Sequence, residues 1–288
     1  AYRGTVPIFP DVAAGRKKAA AAAIRVESRK RYGVFAPKAI IRANGLSKTY
    51  DTPHIFFKDE HVKALDDITA DIHGPGSVAL VGETGAGKTS FMKCLAGLEK
   101  PTAGDITVTG LRKAVYVGRD FTGTTGKSVR QLISEKVASC LPGQIDSRRR
   151  NVELTTNTIL EALDLHGCSR TKDRFLSGGE VYRFALAMAM AKASSSPTPP
   201  VLLLDGFFDK SDQRVRYGVE FSLFDLQKKL GVMLVFTARN HQIVMELAKQ
   251  VAEITDGKIT EISVHEKSRY ARYVFECMRM DIARQSYR

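Results

Sequence analysis

Eight residues, Gly82-Glu83-Thr84-Gly85-Ala86-Gly87-Lys88-Thr89, constrain this chain more than any other segment. They fit the spacing GxxxxGK[ST]. The apolar run Ser77–Val81 leads into them, and a helical pattern over Lys88–Leu98 leads out. Glycines let successive backbone N–H groups wrap anionic oxygens, and a helix N-terminus adds the positive end of its dipole. Lys88 can reach a phosphate as a point charge, and the Thr89 hydroxyl can ligate Mg²⁺. A strand, a phosphate-sized loop and a helix in that order call for a layered α/β architecture.

The flanking pattern agrees. Ala39–Ala43, Ala64–Ile72, Asp105–Val108 and Ala114–Val117 read as strands, with a polar insertion at Asp51–Glu60. Residues 125–195 are helical in character: Val129, Leu132, Ile133 and Val137 mark one face, and Ile159, Leu160, Leu163 and Leu165 another. Val201–Leu204 is a continuous apolar run ending in Asp205, the signature of a strand buried on both faces. Helices at about 212–229 and 240–250 flank a strand at Val232–Phe236, and Asp256-Gly257 marks a hairpin between Val251–Ile254 and Lys258–Ile262. The expected fold is α/β: a P-loop core with a mostly parallel sheet, an antiparallel β subdomain and a helical insertion. Asp205, at the end of its strand, is placed to ligate Mg²⁺ directly or through water.

Charge divides the chain. Lys and Arg total 44 against 31 Asp and Glu, and residues 1–42 hold ten basic side chains against two acidic ones. Residues 1–38 therefore read as a basic extension able to meet RNA, anionic lipid or an acidic protein face. Residues 39–264 form the main domain, and 265–288 a helical extension in which Tyr270, Tyr273, Val274, Cys277, Met278 and Ile282 share a face suited to a protein partner. No run approaches the roughly 18 apolar residues of a membrane helix. Cys94, Cys140, Cys168 and Cys277 are widely spaced, as in a reducing compartment. The basic start and an initial Ala in place of Met fit a processed precursor, which gives a mitochondrial matrix or other organelle interior as the expected compartment, otherwise the cytoplasm.

Leu176-Ser177-Gly178-Gly179-Glu180 lies between the phosphate loop and the Asp205 strand and precedes a helix containing Arg183. This run resembles the signature of ABC-type ATPases. Gly45-Leu46-Ser47-Lys48-Thr49-Tyr50, Ala64-Leu65-Asp66-Asp67-Ile68, Leu95-Ala96-Gly97-Leu98, Pro101-Thr102-Ala103-Gly104 and Asp256-Gly257-Lys258-Ile259 are similar to further family runs, so that the likeness extends from about Ile40 to Ser263. The resemblance implies a two-lobed domain that pairs head to tail with a second one around ATP and Mg²⁺. By match, Tyr50 stacks on adenine, and the loop Gly82 to Lys88 with Thr89 and Ser90 holds phosphates and Mg²⁺. Ser177, Gly178 and Gly179 meet the γ-phosphate of the partner's nucleotide, and Asp212 is the D-loop aspartate.

Three positions depart from that pattern. Gly206 stands where the family has the Glu that polarises water, Arg119 where it has the Q-loop Gln, and Ala238, after Thr237, where it has the switch His. Neither Gly nor Ala can accept a proton from water, and such help is commonly worth about 10²–10⁴-fold. His241 and Asp209 are the nearby residues able to stand in. The expectation is a chain that binds ATP and cleaves it slowly or not at all, held as a subunit of a larger assembly. The alternative is the ATPase subunit of a transporter, working with a separate permease and a competent partner domain. A nucleic-acid-linked role would rest on the basic arm alone.

Overall fold

The computed structural model describes residues 40–52, 60–73, 76–109, 114–118, 125–141, 145–196, 198–209, 213–238 and 241–264. The basic extension, the C-terminal helix, Arg119 and Asp212 lie outside the described residues. The element order is β1 (Ile40–Thr52), β2 (Glu60–His73), β3 (Ser77–Val81), α1 (Lys88–Leu95), β4 (Ala103–Thr109), β5 (Ala114–Val117), α2 (Val129–Cys140), α3 (Ile145–Ala162), α4 (Gly178–Ala193), β6 (Val201–Leu204), α5 (Gln213–Leu230), β7 (Met233–Thr237), α6 (His241–Leu247), β8 (Gln250–Thr255) and β9 (Lys258–Val264).

Two sheets form. An antiparallel sheet has the order β2-β1-β4, and a larger sheet runs β5-β6-β7-β3-β8-β9. Every pairing in the larger sheet is parallel except the β8–β9 hairpin. Its turn residues Asp256 and Gly257 both take positive φ, 49° and 75°, as the two-residue hairpin turn requires.

Period-2 alternation explains why the central strands are apolar throughout. Leu202 and Leu204 of β6 and Leu234 and Phe236 of β7 face one core, which packs on α2, α3, α4 and α5. Val201 and Leu203, Met233 and Val235 face the other, which packs on α1 and the antiparallel sheet. Each such side chain, fully buried, contributes about 1.5–3 kcal/mol relative to exposure. The sheet is thereby fixed on both faces, and only its strand ends remain available for a polar site.

Several boundaries differ from the sequence reading. β1 and β2 are far longer than their apolar stretches, 13 and 14 residues, because backbone pairing continues past register shifts into polar sequence. α1 stops at Leu95, three residues early: the N–H groups of Gly97 and Leu98 fold back onto the Cys94 and Lys93 carbonyls, at 3.0 and 2.9 Å. α6 is also short, since Lys249 N–H donates to Ser77 O at 2.9 Å and draws the chain into the sheet as β8.

The helical unit, α2 to α4, is tied at its neck. Asp173 is 6% exposed and accepts from the backbone N–H of Gly126 and of Arg174, both at 2.9 Å, and from the Thr125 hydroxyl at 2.9 Å. Val129 N–H donates to Thr171 O and Asp173 N–H to Lys127 O, each at 3.0 Å. The segment entering α2 and the segment leading to the signature are thus one rigid unit. Backbone donation from Thr125 first, then the Thr125 hydroxyl and the other N–H groups, hold the Asp173 carboxyl below its usual range despite burial.

Candidate functional site

Buried strands leave their polar residues at their carboxyl ends, the usual place for a site in an open α/β sheet. Here β3, β6 and β7 deliver the phosphate loop, Asp205 and Thr237 to one edge. The resulting cleft of 200 Å³ is lined by the phosphate loop with Lys88, Thr89 and Ser90, and by Asp205, Asp209, Thr237 and Ala238.

The loop's backbone is built around close approach. At Gly87, φ is 104°, and a Cβ there would lie 2.3 Å from the Ala64 carbonyl oxygen. Gly257 N–H donates to Ala86 O at 3.2 Å, and Asp66 N–H to Gly257 O at 2.9 Å, so β2 and the hairpin brace the loop from behind. Lys88 Nζ donates to the carbonyls of Gly82 and Glu83, at 2.7 and 2.5 Å, which holds the ammonium across the mouth of the loop.

Asp205 is the hub. It is 3% exposed, yet both carboxylate oxygens are satisfied. The Thr89 and Tyr116 hydroxyls each donate to Oδ2 at 2.8 Å, and the Thr237 hydroxyl donates to Oδ1 at 3.0 Å. Thr237 Oγ1 also accepts the Gly206 N–H at 2.7 Å. The sequence reading placed Thr89 and Asp205 together, and they meet. It gave Tyr116 and Thr237 no role. The register explains both: Leu204 pairs with Phe236, which sets Thr237 beside Asp205, and Tyr116 pairs with Leu203, which shares a face with Asp205. Their signal in sequence is a polar side chain at the end of an apolar strand.

The donor set fits a phosphate-bound divalent cation. Among the described residues, no group of three or more His, Cys, Asp or Glu is arranged to cage a metal. One carboxylate beside one hydroxyl, next to a phosphate cradle, suits Mg²⁺, which is usually held by one or two side chains plus substrate phosphates.

The departing positions are equally concrete. Gly206 takes φ 59°, a left-handed conformation that side chains rarely adopt. Phe207 and Phe208 then turn inward, 1% and 2% exposed. Ala238 lines the cleft and offers no polar group. The backbone of His241 begins α6.

Tyr50 is pinned. Lys48 Nζ sits over its ring, 5.0 Å from the centroid, and its hydroxyl lies 3.1 Å from Ser90 Oγ and hydrogen-bonds the Glu99 carboxylate. Burial first, then the Glu99 hydrogen bond, push its phenol up to about 12. Burial pushes Glu99 upward, but hydrogen bonds from Tyr50 and Lys93 and the charges of Lys93 and Lys48 hold it below its ordinary value. Tyr50 thus adjoins the phosphate-loop helix, with one ring face covered by an amine.

The signature run lies elsewhere, and none of Leu176 to Glu180 lines the cleft. Ser177 caps α4: its N–H and its hydroxyl both donate to Glu180 Oε2, at 2.8 and 2.6 Å. These two bonds hold the Glu180 carboxyl below its usual value, against a smaller opposing effect of burial. The signature run and the phosphate-loop cleft are therefore separate in this structure.

Comparison with known proteins gives this geometry its context. Residues 65–207 match the family described as ABC transporter. The chain is 32% identical over 210 residues to a probable sulfate/thiosulfate import ATP-binding protein, CysA, of Chlorella vulgaris, a match covering 69% of this chain and 84% of that protein. This chain belongs to the ABC transporter family of ATP-binding proteins. Members of the family bind ATP with Mg²⁺, in agreement with the donor set of this cassette. It is also 30% identical over 227 residues to a sulfate/thiosulfate import ATP-binding protein of Nephroselmis olivacea, and 28% identical over 232 residues to a spermidine/putrescine import ATP-binding protein of Nitratidesulfovibrio vulgaris. Each of these matches covers 77% of the cassette but only 62% or less of the relative. The fold is that of the cassette MJ0796 in its dimeric ADP- and phosphate-bound structure, at TM-score 0.62 and 18% identity, over 78% of this chain and 98% of that one.

Proposed function

We propose that this cassette holds ATP with Mg²⁺ in its phosphate-loop cleft, hydrolyses it slowly, and serves as a subunit of a larger, organellar assembly. One observation carries the reading. The groups suited to phosphate and cation line one cleft, with Lys88 held on the Gly82 and Glu83 carbonyls and Thr89 hydrogen-bonded to Asp205, while positions 206 and 238 carry no proton acceptor.

The residues divide the work simply. Backbone N–H groups of the loop and the N-terminus of α1 receive phosphate oxygens. Lys88 exchanges its carbonyl partners for phosphate, and Thr89 with Asp205 holds the cation, which neutralises charge on the terminal phosphates when bound. Tyr116 and Thr237 orient Asp205. Ser177, Gly178 and Gly179 are directed at the nucleotide of a second cassette, so this chain can complete a site on a competent partner while its own site turns over slowly. Relatives from algae that carry chloroplasts support an organelle interior.

The test is the nucleotide content of the natively purified assembly, beside a Lys88→Ala control. Intact ATP that outlasts purification is the expected result. Nucleotide recovered as ADP, with turnover in the ordinary enzyme range of about 1–10³ s⁻¹, would put the second reading first.

That second reading is the ATPase subunit of an importer acting with a separate permease. The import relatives favour it. A groove of 640 Å³ between α2 and α3, outside the cleft, supports it as well, because a partner seated there leaves the nucleotide untouched. No helix among the described residues is long and apolar enough to cross a membrane, so this reading requires a second chain or segment to do so.

A further inference from the structure

We infer that Asp209 supplies, at the terminal-phosphate end of the cleft, the water-orienting carboxylate that position 206 lacks; this rests on the reading of the cleft as an ATP site.

The loop after β6 is folded in a way that returns this residue to the cleft. Gly206 turns the chain at φ 59°, and Asp209 N–H closes the turn by donating to Gly206 O at 3.1 Å. The two residues between them are committed to the core. Phe207 packs edge-on against Tyr182 at 5.1 Å, Phe208 against Phe207 at 5.4 Å, and Phe208 against Phe236 at 6.1 Å. Three T-shaped contacts in series leave the loop little freedom to slide. With two aromatic rings fixed inward, the next side chain emerges on the cleft wall. Asp209 accordingly shares the lining with Lys88, Thr89, Asp205 and Ala238.

Chemistry distinguishes the two carboxylates of that lining. Asp205 is buried and accepts three hydroxyl hydrogen bonds, so its oxygens are engaged in orienting Thr89, Tyr116 and Thr237. Asp209 also lines the cleft but is solvent-exposed. In the step assigned to it, a water oxygen attacks the γ-phosphorus and the bond from that phosphorus to the β–γ bridging oxygen breaks. The electron pair leaves with ADP. The proton of the attacking water passes to the Asp209 carboxylate and from there to solvent, leaving inorganic phosphate. The left-handed backbone at 206 favours glycine over a residue with a carboxylate, whereas position 209 carries one into the lining.

The natively purified assembly carrying wild-type chain, Asp209→Asn, Asp209→Glu or Lys88→Ala provides the test. Two quantities are read: the first-order loss of bound γ-labelled ATP, and the ratio of ATP to ADP affinity measured without Mg²⁺. Asp209→Asn is expected to slow hydrolysis about 100-fold, toward the Lys88→Ala level, and to tighten ATP several-fold relative to ADP, because a negative charge near the terminal phosphate is gone. Asp209→Glu is expected to retain hydrolysis above that of Asp209→Asn. A purely structural role would leave the affinity ratio unmoved. The inference is overturned if Asp209→Asn hydrolyses ATP as fast as wild type, if the affinity ratio does not change, or if wild type binds ATP but turns it over no faster than Lys88→Ala. Failure of the wild type to bind ATP at all would instead overturn the ATP-site reading on which the inference stands.

Discussion

The phosphate loop and the signature run both end in a helix N-terminus, and the two are satisfied in opposite ways. At α1 the N-cap is Gly87, with no side chain to accept from the first turn and no acidic residue in it. At α4 the N-cap Ser177 is closed by Glu180, a carboxylate already seated on the cap. Uncapped N–H groups are costly unless something else accepts from them. The α1 end is therefore open to an external anion, while the α4 end is closed by its own carboxylate, which an external phosphate would have to displace from Ser177. On the proposed reading, nucleotide belongs first to α1, and the signature engages one only when a second cassette brings it.

The largest expected effect tests that contrast with one substitution at each end. Gly87→Ala places a methyl 2.3 Å from the Ala64 carbonyl oxygen at a positive φ. It should cost about 2–4 kcal/mol of stability from strain and overpacking together, and abolish nucleotide binding. Gly179→Ala meets nothing within 4 Å. It should leave the isolated chain unchanged or about 0.4–1 kcal/mol more stable, while weakening ATP-driven pairing with a partner cassette. Urea unfolding and nucleotide binding on both variants decide it. Equal destabilisation would mean that the two ends are not differently built.

Next in size is Gly206→Glu. A simple reading of sequence would call it a repair. With φ at 59°, it should cost about 1–2 kcal/mol and fail to raise turnover, since a glutamate there enters from a backbone shaped for glycine. A rise in ATP hydrolysis to the ordinary enzyme range, with unchanged stability, would show that the loop relaxes freely and that Phe207 and Phe208 do not hold it.

Much of this was legible from sequence. The phosphate loop announced itself through glycine spacing between an apolar strand and a helix, and Asp205 through its place at the end of a four-residue apolar run. Local patterns of that kind survive folding because they are fixed by backbone geometry. Tyr116 and Thr237 were not legible, because their role depends on the order β5-β6-β7, and alternation along each strand says nothing about which strand lies beside it. The hydroxyl of Tyr50 on Ser90 and Glu99 joins residues 40 and 49 positions apart, across β2 and β3. The inward turn of Phe207 and Phe208 was hidden for a similar reason: its cause is the pocket formed by Tyr182 and Phe236.

The smallest effect concerns Glu180 and sharpens the contrast most directly. Its carboxyl is held below the ordinary value by two hydrogen bonds from Ser177. A depressed folded value means that the carboxylate contributes stability above the ordinary carboxylate range, and that this contribution disappears as pH falls through the folded value. Glu180→Ala should lose about 0.3–1.5 kcal/mol at neutral pH, and the gap to wild type should close in acid. Glu180→Gln keeps an oxygen to accept from Ser177 but removes the charge. Near neutral pH it should lose part of what Glu180→Ala loses, because the charge is gone and the acceptor remains, yet pair more readily with an ATP-loaded partner, because the Ser177 hydroxyl is no longer committed to an anion. Unfolding midpoints against pH, with ATP-dependent pairing measured on the same samples, separate the two roles. If Glu180→Gln and wild type pair equally well, Glu180 is a helix cap only, and the signature end does not exchange one anion for another.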